Sequence, residues 1–403
     1  MNTVVIGGGP AGLISAYFSA KSGNQTVLIE KNEKLGKKLY ISGKGRCNVT
    51  NDCSEEEFLE NVVTNPKFLM GAIRRFSPEK FMEFLGAKTP LKTERGNRVY
   101  PISDKASDIT KCLENYLKEV GVEIRLNTEV KEINAENGKI AEVVTDKERI
   151  ACEKVIVCTG GVSYPLTGST GDGYKFAKSL GHSIVEPKSA LCGINLKGDF
   201  YKQLQGISLK NVKLSVCRGQ KEIYSDFGEM LFTHFGISGP IVLSASSYIN
   251  REDLSNITLK LDLKPALTHE QLDLRVLRDF DKYKNKQIKN SLDDLLLRGL
   301  IPIVISMAKV NGERKNNEFK AEDRKKLVDT VKAIEMKPAS LRDLNEAIVT
   351  AGGVSVKEIN PKTMESKLVK GLFFAGEVLD VDALTGGFNI TVAACTGYVA
   401  GNS

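Results

Sequence analysis

Thr3-Val4-Val5-Ile6-Gly7-Gly8-Gly9-Pro10-Ala11-Gly12 stands at the head of the chain, a β-branched run that breaks into glycines. Leu13 to Lys21 continues as a helix, Gly23-Asn24 makes a turn, and Thr26-Val27-Leu28-Ile29 is a second apolar run ending in Glu30. The order is strand, tight turn, helix, strand and acid. A helix N-terminus offers unpaired N–H groups and the positive end of the helix dipole, which together receive a diphosphate. In this reading Gly7 makes the turn, Gly9 lets phosphate reach bare backbone beside Pro10 and Ala11, and Gly12 permits close packing of helix on strand. Glu30 follows Gly12 by 18 residues and is placed to accept hydrogen bonds from an adenosine ribose.

The far end of the chain decides which dinucleotide. Gly371-Leu372-Phe373-Phe374-Ala375-Gly376-Glu377 is an apolar strand ending in glycine and acid, and Thr385-Gly386-Gly387-Phe388-Asn389 opens an apolar helix running to about Val399. A nicotinamide enzyme completes both mononucleotide halves within about 150 residues. Here the halves lie at opposite ends with everything else inserted, the arrangement of a two-dinucleotide-fold FAD protein. Glu377 is then directed at the flavin's ribityl or diphosphate portion. The helix from Gly387 points its first N–H groups, near Asn389 and Ile390, at the flavin edge where negative charge gathers on reduction.

Between the ends, Lys154-Val155-Ile156-Val157-Cys158 runs into Thr159-Gly160-Gly161, which implies a second close approach of backbone to the cofactor. The irregular polar loop from Ser163 to Gly173 reads as lining an active site. Residues 31–51 are glycine-rich and basic with little period, an ordered loop laid against a ligand. Lys31, Lys37, Lys38, Lys44 and Arg46 put cations there, and Ser42, Gly43 and Asn48 join the cofactor-binding set.

With 403 residues, two or three domains are expected, and 41% hydrophobic with 27% charged residues is a globular composition. No tract approaches the roughly 20 apolar residues of a membrane span, so no membrane partner and a cytoplasmic location are expected. Eight scattered cysteines without a C-x-x-C pair, and only three histidines, argue against a disulfide framework or a metal site. Cys158 and Cys395 read as small buried hydrophobes. The formal charge of +7 is spread among acids, and an anionic cofactor or substrate accounts for it without nucleic acid.

The pattern predicts helix over 55–85, with Phe58, Phe68, Phe76, Phe81 and Phe84 on a core face, and a helix from Asp108 to Val120. A hairpin about Asn137-Gly138 follows. From about 190 to 345 the text turns β-rich, then helical over 269–306 and 322–330, with no nucleotide fingerprint. This is the substrate-side insertion.

Glu30-Lys31-Asn32 through Gly36-Lys37-Lys38, Ser42-Gly43-Lys44-Gly45-Arg46-Cys47-Asn48-Val49-Thr50-Asn51, Thr159-Gly160-Gly161-Val162-Ser163-Tyr164-Pro165 with Thr167 to Gly173, and Ala375-Gly376-Glu377-Val378-Leu379-Asp380-Val381-Asp382 with Thr385 to Asn389 resemble the BaiN and aminoacetone-oxidase family of bacterial FAD flavoproteins. Leu231-Phe232-Thr233-His234 with Gly236 to Pro240, and Val349 to Val354, agree. The resemblance covers essentially the whole chain. It implies an α/β fold in three parts: a Rossmann-like, parallel-sheet FAD domain from 1–190 and 346–403, a β-barrel-like insert from 191–264 and 326–345, and a helical insert over 265–325. Carried over, the FAD contacts are Ala11, Glu30, Lys37, Lys38, Val130, Glu377, Asn389 and Ile390, with Phe388 beside them. Ala383 departs from the family pattern, where relatives have glycine, and puts the local turn in question.

The activity implied is that of an oxidoreductase with non-covalent FAD acting on a small molecule. The leading reading is a reductase, with NADH or NADPH as transient reductant, acting on conjugated C=C bonds of 3-oxo, bile-acid or steroid-like substrates. Tyr164 or Tyr40 would serve as acid. The alternatives are an oxidase of small amines such as aminoacetone, yielding hydrogen peroxide, and a non-catalytic flavin-bearing RNA-binding protein.

Overall fold

β1 (Asn2–Ile6), β2 (Gln25–Ile29), β3 (Glu123–Arg125), β4 (Lys154–Val157) and β5 (Leu372–Phe374) form a parallel sheet in the spatial order β5-β4-β1-β2-β3. These coordinates are a computed structural model describing residues 1–403. Ile6 lies opposite Ile29 on one side and Val157 on the other, and Val157 lies opposite Phe374. The strands therefore end level, which brings Gly7, Glu30, Cys158 and Ala375 to the carboxyl edge where open parallel sheets bind ligands. Every residue of β4 and β5 is buried, as expected for parallel strands covered on both faces.

The chain forms two compact units, one of Met1–Ala190 with Leu344–Ser403 and one of Leu191–Asp343. In the first, the N-terminal helix Pro10–Lys21 packs on the C-terminal helix Phe388–Asn402. Glycines make the contact. A Cβ on Gly397 would stand 2.6 Å from the carbonyl oxygen of Ala11, and one on Gly401 2.7 Å from that of Ser15. Because later residues of one helix meet later residues of the other, the two run in the same direction. The far end of the C-terminal helix is held by Lys154, whose buried Nζ lies 3.3 Å from the carbonyl oxygens of Gly401 and Ser403 and 4.6 Å from the Phe373 ring centre. Burial lowers that ammonium to about 8.

In the second unit seven strands pair antiparallel in a linear order, Ile334–Met336, Ile257–Asp262, Ser208–Arg218, Lys221–Phe232, Gly236–Ser238, Ile194–Leu196 and Pro338–Leu341. Helix Pro240–Ile249 and the helices of 269–332 bury Val242, Leu272, Val304 and Leu327 in the same core as Leu214 and Leu259.

Two helical readings change in detail. Residues 55–85 form three helices, Glu55–Glu60, Pro66–Arg75 and Pro78–Gly86, because Pro66 and Pro78 each open a new helix. Residues 269–306 are helical only over His269–Lys282 and from Ile301, with short 3₁₀ turns between. The expected phenylalanine face is buried at Phe58, Phe68, Phe76 and Phe81, and Phe84 stacks on Tyr116 at 4.3 Å. Asn137 and Gly138 take φ of 51° and 75°, the double positive φ of a tight hairpin turn between Val130–Glu136 and Lys139–Thr145. All eight cysteines are free, and burial pushes the Cys158 and Cys395 thiols up to about 12.

Gly397→Ala tests the helix contact. Alanine gains about 1 kcal/mol of helix propensity over glycine. Forcing a methyl against the rigid Ala11 backbone costs about 1–3 kcal/mol, so a net loss is expected in urea unfolding. A raised midpoint would mean that these helices do not touch as described.

Candidate functional site

At the carboxyl edge of β1, Gly7 turns with φ of 105°, and any Cβ there would collide with the Cys158 carbonyl at 2.5 Å. Gly12 packs so tightly that a Cβ would meet the Gly7 carbonyl oxygen at 1.8 Å. Gly9, the N-cap residue, is different: a Cβ there meets nothing within 4 Å, and no side chain caps the helix that begins at Pro10. The cap position at the start of that helix thus borders open space.

Glu30, at the end of β2, is 8% exposed and held by three donors. Gly8 N–H donates to Oε2 at 2.7 Å, and Asn32 donates to Oε1 from its backbone N–H at 2.8 Å and from Nδ2 at 2.6 Å. Most of the cations that follow are already paired. Lys31 reaches Asp172 at 2.6 Å and Thr170 at 2.5 Å, while Lys37 reaches Glu33 at 2.8 Å. Arg46 turns to Glu94 and Asp104 at 3.0 and 3.3 Å and lies over the Tyr100 ring. Lys44 is exposed. Burial opposes the charge on Asp172, yet hydrogen bonds from Lys31, Thr170 and Lys175 bring its carboxyl down to about 2.

Lys38 meets the other end of the chain. Its Nζ lies 2.8 Å from Glu377 Oε2 and 2.7 Å from Ser163 Oγ. Glu377 Oε1 also accepts from Ser163 Oγ at 3.0 Å and from the Thr350 N–H at 2.9 Å. The buried Thr350 hydroxyl accepts in turn from Val162 N–H and Ser163 N–H at 2.9 and 3.0 Å. Gly161 must be glycine here, since a Cβ would come within 2.4 Å of Thr350 Oγ1, and Gly160 turns with φ of 72°. Four segments far apart in sequence are thereby wired together.

The C-terminal helix starts after Gly387, whose φ is 97° and whose Cβ would collide with Thr50, and no side chain caps it. Thr391 Oγ1 bonds Thr50 Oγ1 at 2.7 Å, which seats the helix start on residues 50–51. Asn389 spends its side chain locally, accepting from Ala383 N–H at 3.0 Å and donating to the Ala383 carbonyl at 2.7 Å. What Phe388, Asn389 and Ile390 offer a ligand is therefore backbone. The same clamp settles the Ala383 turn, which is buried and takes no positive φ, so alanine fits.

These features fit FAD. Gly376 abuts Ala11, with a Cβ 2.7 Å from that methyl, so the second glycine–acid motif lies beside the first helix. Two uncapped helix N-termini point the same way, and Phe388 precedes Gly397, the residue level with Ala11, by nine positions, so the second start lies about 13 Å ahead at 1.5 Å per residue. A ribityl chain separates diphosphate and ring in that manner. The buried Thr159 Oγ1, beside the Gly7 turn, and Asn48 Oδ1, in the loop where Ser42 and Gly43 sit, have no hydrogen-bond partner within the protein. Val130 lines a groove of about 580 Å³ with Lys131, Asp172, Lys175 and Phe176.

The description "HI0933-like protein Rossmann domain" matches residues 1–403. The chain belongs to this HI0933-like family. Its class is FAD-dependent oxidoreductase. It is 28% identical to a 3-dehydro-bile acid delta(4,6)-reductase of Clostridium scindens, over 100% of this chain and 99% of that one. It is 31% identical to a ribosomal RNA dihydrouridine synthase of Haemophilus influenzae, over 98% and 96%. In fold it is similar to the 3-ketosteroid-Δ4-(5α)-dehydrogenase of Rhodococcus jostii RHA1, with a TM-score of 0.53 at 15% identity, covering 100% and 97% of the two chains. The dihydrouridine synthase removes the ground for excluding nucleic acid as a partner. No helix of the HI0933-like chain is long and apolar enough to cross a membrane.

Tyr40 and Tyr164 lie on separate elements. The Tyr40 ring carries the Lys34 ammonium 4.6 Å from its centre, while Tyr164 follows Ser163 with φ of 52°. Sequence reasoning assigned no role to Thr350 or to Asn32, although both stand in runs that carry the family resemblance. Thr350 stood inside the Val349–Val354 run, but nothing in that run points to Glu377.

A Ser–His–Glu constellation lies elsewhere in the same unit. His182 Nε2 is 2.8 Å from Ser366 Oγ and Nδ1 is 3.1 Å from Glu358 Oε2. Ser366 Oγ already accepts from Leu368 N–H and Val369 N–H at 3.0 and 2.9 Å, and both His182 and Ser366 are buried. That hydroxyl ties a turn and is no nucleophile. Burial lowers the His182 pKa, and Glu358 is lowered too, by hydrogen bonds from Ser183 and His182 that outweigh its burial. For both groups the unfolded chain binds more protons, so stability is full above the unfolded histidine pKa of about 6.5 and falls as pH drops through it. Unfolding midpoints from pH 7.5 to 5.5 should decline, and His182→Gln should flatten the decline; an equal slope in both would refute this.

Proposed function

We propose that the chain reduces a carbon–carbon double bond conjugated to a carbonyl. The observation that carries this is a common denominator of the relatives' names. A delta(4,6)-reductase of 3-dehydro-bile acids acts on an alkene in line with a 3-oxo group. A dihydrouridine synthase saturates the uracil double bond, which is conjugated to a ring carbonyl. The first reading of the substrate is a 3-oxo, bile-acid or steroid-like ring. The second, favoured by the dihydrouridine synthase likeness and a formal charge of +7, is uracil within ribosomal RNA.

When bound and reduced by two electrons from transiently docked NADH or NADPH, FAD would supply the hydride for the alkene's β-carbon. The chain's own part is electrostatic and geometric. Gly7 to Gly12 and the uncapped helix at Pro10 would take the diphosphate, Glu30 the ribose, and Glu377 with Lys38 the ribityl region. The first N–H groups after Gly387 would face the ring edge and favour negative charge there. Tyr164 is the proposed proton donor to the α-carbon.

Anaerobic stopped-flow on FAD-loaded protein tests the reading. NADH or NADPH should bleach the flavin, and a 4-ene-3-oxo steroid or bile acid should restore its colour with a saturated product. Restoration by a ribosomal RNA transcript, with dihydrouridine formed, selects the second substrate. Bleaching by aminoacetone, with oxygen then giving peroxide and no response to enone or RNA, replaces the reductase by the amine oxidase. Tyr164→Phe should slow the enone step by about 10²-fold or more while leaving reduction by NADH unchanged.

A further inference from the structure

The loop 163–172 is fastened along its whole length by the segment that follows the ribose acid. At its start Ser163 Oγ accepts from Lys38 Nζ at 2.7 Å. In the middle the Thr167 carbonyl accepts from Asn32 Nδ2 at 3.2 Å. At its end Thr170 and Asp172 accept from Lys31 Nζ at 2.5 and 2.6 Å. Gly168 lies so close that a Cβ would meet Asn32 Nδ2 at 2.5 Å.

Burial does not hold the loop's tip. Leu166 is 94% exposed, and the backbone is kept in three left-handed residues, Tyr164, Gly168 and Gly171, with φ of 52°, 103° and 80°. A non-glycine residue such as Tyr164 persists there only where its surroundings fix it. Asn32 is the central tie. Its Nδ2 donates both to Thr167 and to Glu30 Oε1, its Oδ1 accepts from Lys37 Nζ at 3.2 Å, and its carbonyl accepts from Asn127 N–H at 3.0 Å. One amide thus holds the ribose acid and the loop together.

We propose that Asn32 is a positioning residue for the adenosine end of the cofactor, and that with Lys31 and Lys38 it clasps the loop 163–172 in place, so that adenosine binding and loop order support each other. This rests on the FAD reading. Glu30 must stay in one orientation to receive ribose hydroxyls, and Asn32 supplies two of its three donors. A ribose bound there stiffens Glu30, hence Asn32, hence the loop that carries Tyr164.

The test uses full-length protein loaded with FAD. Two quantities are measured: the FAD release rate after dilution, followed by flavin fluorescence, and amide hydrogen exchange over 163–172 with and without FAD. In the wild type, FAD should slow exchange over the loop. Asn32→Ala should release FAD about tenfold or more faster and lose the FAD-dependent protection of the loop. Lys31→Gln, which leaves Glu30 untouched, should lose protection at 168–172 with a smaller change in release, and it serves if Asn32→Ala does not fold. Unchanged FAD release in Asn32→Ala overturns the proposal, and so does faster release with loop protection intact. For Lys31→Gln, intact protection at 168–172 overturns the clasp. A wild type that takes up no FAD overturns the cofactor reading itself, which is a separate result.

Discussion

The bare-backbone contact between the first and last helices is the constraint on which the cofactor-binding unit depends. Gly397 and Gly401 let their helix lie against the carbonyls of Ala11 and Ser15, and Gly376 lets the strand-end turn lie against the Ala11 methyl. The Thr396 hydroxyl accepts the Gly376 N–H at 2.9 Å, which locks that turn to the same helix. Two dipole ends are thus set at a fixed offset before any ligand arrives. Preorganised donors cost no reorganisation when charge develops beside them, which is why a rigid crossing matters more here than an extra hydrogen bond would.

What could be read from the chain alone follows from how local each signal is. Thr3 to Glu30 is a complete unit in consecutive residues, and the parallel sheet, the hairpin at Asn137-Gly138 and the buried phenylalanines carry their periods in short windows. The single helix read over 55–85 failed because an amphipathic period can continue across Pro66 and Pro78, each of which opens a new helix. Thr350 and Asn32 were invisible for a different reason. Their partners Ser163, Glu377 and Thr167 lie 187, 27 and 135 positions away, and neither residue type announces a role as a hydrogen-bond hub.

Charge shows where local reading misleads. The basic stretch 31–51 suggested free cations awaiting a diphosphate, and an anionic cofactor seemed to absorb the formal charge of +7. In the fold Lys31, Lys37, Lys38 and Arg46 are answered by Asp172, Glu33, Glu377 and Glu94. Partly exposed pairs of this kind contribute about 0–1 kcal/mol each, but they occupy four of the loop's cations, leaving Lys34 over the Tyr40 ring and Lys44 exposed. In the proposed FAD reading the diphosphate is then left to the helix N-termini. The four pairs cancel, so the formal charge of +7 lies outside them, and assigning that charge to an anionic cofactor no longer accounts for it.

A steroid-like enone and a uracil share little in shape, yet both present a β-carbon made electrophilic by a carbonyl two atoms away. A hydride donor with dipoles aimed at its own ring needs only that carbon within reach, so the motif-bearing residues can stay constant while the substrate changes. Residues that choose between a lipid-like ring and an RNA base have only to match volume and polarity. Many side chains do that equally well, so such residues leave no spacing signature, whereas a glycine that must admit a phosphate has no substitute. On the proposed reading, the dense glycine text at both ends and the plain text from 191 to 343 are two consequences of one division of labour: chemistry that tolerates one residue type at each position, and recognition that tolerates several.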